Sequence, residues 1–422
     1  MMALLSPNNE SQKSRGTPAT PKTSTHAASQ ELAGDGSYKA FGADARSDFM
    51  FKDGLTYLNH GAYGATARPV MDAAQAMREK IEGQPSSFMT SQLSQELRAS
   101  AQILGYYVGA QGEDIVFQDN ATTAINAVLR SLVLFPGDEV LTTSLTYGAV
   151  MRTLEFVCDR ADARLIPVHI DYPMIDAETV VDTIMAAISP RTRLLVIDHV
   201  TSKTASILPV AEIAAECRDR GIHILVDGAH APAMLDLDIE SLGVTWYTGN
   251  CHKWMGAPRG SAFLWTVAER QAYLRPTTIS HFIADGYVPA FDWPGTKDFT
   301  PYLTIPAALE YRALYGEEQI RSYCNTLAYE AGQHVARQLG THTGIPKSMS
   351  AAMMTVALPE GYGPAKQDNA NALRATIRKD HNLEIDIQAF ERRLWLRLSA
   401  YIYNDMEDAD RLVHAVKAVR AA

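Results

Sequence analysis

Cysteine is scarce in these 422 residues: Cys158, Cys217, Cys251 and Cys324 stand far apart, with no CxxC pair. That spacing suggests neither a disulfide framework nor a structural zinc site, and it fits a reducing compartment, so the cytoplasm is the expected location. No apolar run approaches the roughly 18 residues a membrane helix needs, and no bilayer span is expected. No run of Lys or Arg stands out against a net charge of −10. This argues against nucleic acid or an anionic membrane as the main partner and in favour of a small molecule. There is no internal repeat, and low complexity is confined to residues 1–45, which are rich in Ser, Thr, Pro, Ala and Asn. The apolar MMALL that opens them is too short for a signal-peptide core. A disordered tail is expected there, with a transit peptide as the alternative because acidic residues are few at its start.

Apolar residues make up 46% of the chain, enough for a large core divided between two domains. From Tyr57 onward, short runs rich in Val, Ile and Leu (DIVFQD, EVLTTS, ARLIPVHI, TRLLVIDHV, HILVDGA) read as strands covered on both faces, a central parallel sheet. Between them ATTAINAVLRSLVLF, YGAVMRTLEFVCDR, DAETVVDTIMAAI and PVAEIAAECRDRG carry apolar residues at helical spacing. The last begins at Pro209 and closes at Gly221. Such alternation predicts an α/β domain of crossover units. Beyond residue 300 the pattern changes to a long helix from Ile305, a strand MMTVALP, a helix ANALRATIRKDH, strands LEIDIQ and LWLRLSA, and a final amphipathic helix, a smaller α+β domain. The boundaries expected are an N-terminal segment over 46–67, a large domain over 68–297 and a small domain over 298–422.

Ligands of such sheets gather beyond the carboxyl ends of the strands. The first of these loops, Gln118 to Thr123, opens a helix with small and hydroxyl residues, which suits either an anion or a plain N-cap by Asn120 or Thr122. The strand ILVD ends in Asp227, followed by His230. A buried carboxylate needs a partner, and a protonated heterocyclic nitrogen or a neighbouring arginine would each serve. Lys253 follows the strand candidate VTWYTG, in GNCHKWMGAPRG. An arbitrary lysine is a solvated charge, but Trp254, Met255, Gly256 and the apolar SAFLW beyond suggest a semi-buried one, the state that forms Schiff bases. An anion site at a helix start, an aspartate for a ring nitrogen and such a lysine together describe pyridoxal 5′-phosphate (PLP) binding.

The order NATTAIN, HVTSKTASILPV, VDGAHAP, GNCHKW and LRLSAYIYND resembles the class V aminotransferases of PLP fold type I. YLNHGAYG and GNCHKWMGAPRGSAFLW are most similar to the isopenicillin N epimerase-like branch. The resemblance spans nearly everything from residue 55 onward. It implies a large, mainly parallel sheet flanked by helices plus a smaller α+β C-terminal domain, acting as a homodimer. It also implies that Lys253 bonds to the cofactor and shuttles the Cα proton, that Asp227 pairs with the pyridine nitrogen, and that His230 contacts the phenolic oxygen or the aspartate side of the ring. Tyr147 would stack on the cofactor and Ser202 would be a further contact. Ala121, Thr122 and Thr123 would hold the phosphate, aided by Asn250 and His252, and across the dimer by Gly295 and Thr296. Arg397 would clamp the substrate carboxylate, with Asn59 and His60 lining that side. Without the resemblance, His230 and His252 are equally loop histidines, Tyr147 a helix-start aromatic, Arg397 a surface ion pair and Cys251 a small buried thiol.

The expected reaction begins with Cα proton abstraction by Lys253 in a racemase or epimerase mode, which requires a second proton donor opposite it. Tyr63, His60 and Tyr287 are the candidates. The alternative is β-elimination from a cysteine-type substrate. A desulfurase persulfide relay is disfavoured, because the only cysteine of the C-terminal part beyond residue 298 is Cys324, inside a helical pattern. Transamination ranks third. A non-catalytic scaffold would need none of Lys253, Asp227 and Arg397, and no zinc spacing links His230, His252, Cys251 and Asp227, so no metal is expected.

Overall fold

A computed structural model describes residues 38–174 and 176–420. Most of the expected N-terminal tail, residues 1–37, therefore lies outside the described residues. Its last part does not behave as a tail: a short helix spans Ala43–Arg46, and Ala45 is 2% exposed in the core.

Seven strands form the central sheet: β1 Ile115–Gln118, β2 Glu139–Thr143, β3 Arg164–Val168, β4 Thr192–Asp198, β5 His223–Asp227, β6 Trp246–Asn250 and β7 Ala262–Thr266. Their spatial order is β1-β7-β6-β5-β4-β2-β3. Six strands run the same way, and β7 alone is reversed between β6 and β1. The parallel reading therefore holds except at β7. The chain returns from β6 to β7 through residues 251–261 without a helix, too short a link for a parallel crossover. Successive residues of β4 face opposite sides: Leu195 and Ile197 join one apolar cluster, Leu194 and Val196 the other. Both faces are thus buried, which explains the unbroken apolar runs.

Helices α1 Arg68–Gly83, α2 Leu93–Val108, α3 Ala121–Ser131, α4 Gly148–Ala161, α5 Ala177–Ala186 and α6 Val210–Asp219 belong to this part of the chain. Ile125, Val128 and Leu154 of α3 and α4 cover one face, and Leu97, Leu104, Ile184 and Ile213 of α2, α5 and α6 the other. The long helix expected from Ile305 is two, α7 Ile305–Ala313 and α8 Glu317–Leu339. Gly316 separates them with φ +75°, a backbone state that other residues adopt only with strain.

Three antiparallel strands, β8 Met353–Ala357, β9 Asp386–Phe390 and β10 Arg393–Ser399, lie in the order β9-β10-β8. They share one apolar cluster with α8, α9 Gln367–His381 and α10 Met406–Arg420. The expected single strand LEIDIQ is divided, because Leu383–Glu384 pairs instead with Thr56–Tyr57 of the N-terminal segment. That segment then runs past β10, with Asn59 bridged to Ser399, and so reaches the lysine turn.

Candidate active site

The site lies where β4, β5 and β6 end. Asp227 closes β5 beside Asp198, which closes β4 in register with it. Both carboxylates are buried, Asp198 at 3% and Asp227 at 4% exposure. Burial raises the proton affinity of each, and the charge of Asp227 raises that of Asp198 further. The Ala229 amide, which donates to Asp227 Oδ1 at 3.0 Å, works against this. Asp198 Oδ2 has no hydrogen-bond partner among the described residues. Sequence reasoning misses Asp198, although the signal that marks Asp227, a carboxylate closing a buried strand, marks it equally.

Lys253 sits in the turn after β6. Its Nζ lies 3.0 Å from His230 Nε2. Burial lowers its pKa to about 8; Asp227 and Asp198 oppose this and Arg397 adds to it. His230 is 2% exposed, and burial, reinforced by Lys253 and Arg397, keeps it neutral. The turn's backbone is clamped from two directions. Arg312, in the last turn of α7 yet fully buried, donates from Nη1 to Trp254 O at 2.7 Å and is neutralised by Glu317 at 2.6 Å. It was hidden in EYRALYGEE, where only a charge amid apolar helix positions hints at it.

His60 supplies the other clamp. Expected to line the substrate side, it is instead 0% exposed. Its Nδ1 accepts from Tyr403 Oη at 2.8 Å and from the Ala65 amide at 3.4 Å. A neutral ring whose Nδ1 accepts carries its proton on Nε2, which donates to Lys253 O at 3.1 Å. Burial holds its pKa at about 3. With both nitrogens engaged and no exposed surface, it cannot meet a ligand.

The start of α3 is partly a self-contained cap. Asn120 Oδ1 accepts from the Thr123 amide at 2.9 Å and from its hydroxyl at 3.2 Å. Asn250 Oδ1, at the end of β6, accepts from the Ala121 amide at 2.9 Å. These bonds commit the Ala121 and Thr123 groups and leave the Thr122 amide unclaimed among the described residues. His252 donates from Nδ1 to Ser261 O at 2.7 Å, and burial lowers its pKa to about 4, so its Nε2 is a bare acceptor.

Arg397 is 2% exposed. It faces Asp386 at 3.4 Å, donates to Asn59 Oδ1 at 3.5 Å, and holds the carbonyl and hydroxyl of Ser202. Its Nε is unpartnered among the described residues. The structure thus brings Arg397, Asn59 and Ser202 together, with Ser202 on the arginine. Tyr147 begins α4 and is 45% exposed. Thr296 is exposed and Gly295 half-buried, and no hydrogen bond among the described residues ties either to the lysine turn. Tyr287 bonds Thr266 Oγ1 at 3.0 Å within the second apolar cluster, away from Lys253. Tyr63 is 69% exposed. Among the described residues no group of three His, Cys, Asp or Glu is placed to hold a metal, and no helix is long and apolar enough to cross a membrane.

A sheet of this topology with a half-buried lysine beyond it and paired carboxylates under it defines a fold type I enzyme of pyridoxal 5′-phosphate. The residues fit that cofactor on their own chemistry. A buried carboxylate pair with one orphan oxygen lacks the cation that a protonated pyridine would provide, the Thr122 amide is open at a helix start, and the lysine is readily deprotonated. Residues 56–412 match the family "Aminotransferase class-V". The chain is 30% identical to the isopenicillin N epimerase of Amycolatopsis lactamdurans, covering 89% of this chain and 98% of that one. It is 26% identical to an L-cysteine desulfhydrase of Arabidopsis thaliana, covering 89% and 90%. The solved cystine C–S lyase C-DES superposes with a TM-score of 0.75 at 22% identity, over 86% of this chain and 97% of that one, and so shares the fold. The protein belongs to the class V aminotransferase family and is a PLP-dependent enzyme.

Proposed function

We propose that this enzyme is an amino-acid lyase that takes the Cα proton from a cysteine-type substrate and expels the sulfur from Cβ. The observation that carries the reading is that, among the described residues, none of the three candidate second acids is fixed opposite the single base Lys253. Lys253 stands 3.0 Å from a neutral histidine, while the three candidates for the second acid are engaged or displaced. His60 is used up by Tyr403 and the lysine carbonyl, Tyr287 is buried on Thr266, and Tyr63 is 69% exposed. Elimination needs one base, because the electron pair left at Cα forms the Cα–Cβ double bond while the pair of the breaking Cβ–S bond leaves with the sulfur; inversion needs a proton returned to the other face. All four cysteines are buried, and burial pushes the Cys324 thiol up to about 12, so sulfur leaves as sulfide and not on an enzyme thiol.

In this reading Lys253 holds the cofactor and carries the proton, and Asp227, with Asp198 behind it, faces the ring nitrogen. The Thr122 amide and the α3 start take the phosphate, and Tyr147 covers the ring. Arg397 and Asn59 receive the substrate carboxylate. Gly295 and Thr296 extend to a second copy in a homodimer. The cofactor supplies the electron-withdrawing ring that acidifies the Cα hydrogen. Epimerisation is the second reading, favoured by the exposed Tyr63 beside Gly64, which packs on the lysine turn. L-cysteine or a cysteine conjugate in deuterated water separates them. Sulfide or thiol release with equimolar pyruvate and ammonia is expected. Recovery of inverted, Cα-deuterated substrate without pyruvate overturns the lyase reading.

A further inference from the structure

Trp254, next to the lysine, does more than pack. Its indole packs beside the stacked rings of His60 and Tyr401, with centroids at 5.1 and 6.3 Å from it. Its carbonyl is held by Arg312 at 2.7 Å, and it is 2% exposed. So fixed, it directs Nε1–H at His230 Nδ1, 3.3 Å away. An indole nitrogen only donates, so Nδ1 must accept. A neutral imidazole has one N–H, which is therefore on Nε2, the nitrogen 3.0 Å from Lys253 Nζ. That contact is a hydrogen bond only if the amine accepts, which an ammonium cannot do. An ammonium there would require an imidazole bare at both nitrogens.

We propose that Trp254 is a positioning residue that sets the tautomer of His230 and thereby lowers the proton affinity of the Lys253 amine, favouring the free amine that bonds an aldehyde and takes a proton. The proposal rests on the reading of Lys253 as the cofactor lysine. Other groups act on the amine as well. Asp227 and Asp198 favour the ammonium and Arg397 the free amine; the neighbouring His252 is neutral. The indole tips this balance through a hydrogen bond and not through charge.

The test uses the full-length protein freed of cofactor. Nitrogen-15 spectra of labelled histidine are expected to show His230 protonated on Nε2, with Nδ1 bare; the reverse tautomer overturns the proposal without any variant. The rate of PLP capture against pH gives the amine's titration. W254F is expected to move its midpoint upward by about one unit, making capture about tenfold slower at pH 7, and to leave the midpoint unmoved when added to H230Q. An unmoved midpoint in a folded W254F chain overturns the proposal. Borohydride reduction followed by peptide mapping tests the underlying reading separately. Label on a lysine other than Lys253 removes that reading while leaving the histidine tautomer as measured.

Discussion

At the residue scale, the site depends on histidines kept neutral by burial, each with a fixed tautomer. His60 shows how tightly the lysine turn is tied to the small domain, because its ring receives Tyr403 on one side and gives to the Lys253 carbonyl on the other. Tyr403→Phe deletes the main donor to Nδ1 and leaves a buried acceptor with only the long Ala65 amide bond. Such losses cost about 1–3 kcal/mol. A lower urea midpoint with an unchanged slope is expected, together with weaker cofactor retention. A variant as stable as the parent would mean that the His60 clamp contributes nothing.

At the element scale, the lysine turn is held between the N-terminal segment and the helix pair α7 and α8, and the contact with the segment is made through a glycine. A Cβ at Gly64 would lie 2.3 Å from His252 O and 2.6 Å from Lys253 O. Backbone atoms cannot yield as a flexible side chain can. Gly64→Ala is therefore expected to displace the turn, costing about 1–3 kcal/mol, and to shift the absorbance of the bound cofactor. An unaltered spectrum and melting temperature would show that the segment moves aside freely. Much of this architecture was legible in the sequence. The buried strands announce themselves by unbroken apolar runs, and Asp227 and Lys253 by polar chemistry placed directly after such runs. What was not legible depends on contacts distant in sequence. His60 looks like a ligand in YLNHGAYG because nothing local reveals the Tyr401 and Tyr403 rings, some 340 residues on, that enclose it. The same applies to Arg312 and to the reversal of β7. At the start of α3 the sequence left cap and anion site open, and the structure shows the cap, with one amide to spare.

At the scale of the whole molecule, these buried groups fix how stability responds to acid. Burial holds the pKa of His60 at about 3 and those of His199, His223 and His252 at about 4, and places His230 well below the ordinary histidine value. An unfolded histidine titrates near 6.5. As pH falls below that value the unfolded chain therefore binds protons that the folded chain refuses, and stability present at neutral pH is lost progressively toward pH 4. Asp198 and Asp227 act with the opposite sign. Their proton affinity is raised on folding, so they stabilise the fold at low pH and cost stability as pH rises beyond the usual aspartate range. Asp114, Asp292 and Asp408, raised by burial, act with the pair, whereas Asp48, Asp119, Glu139, Asp298 and Asp386, held low by their partners, act with the five histidines, so the expected balance is a loss in acid. The urea midpoint of the cofactor-free protein is expected to be nearly flat from pH 8 to pH 7 and to drop steadily from about pH 6.5 to pH 5. A midpoint that rises over the acidic range would mean that the carboxylate pair outweighs the histidines. With Asp227 facing the ring nitrogen as proposed, cofactor loading would set a ring cation against the pair, so the stabilisation it confers is expected to grow with pH across the same series, and a constant increment would argue that Asp227 does not face the ring nitrogen.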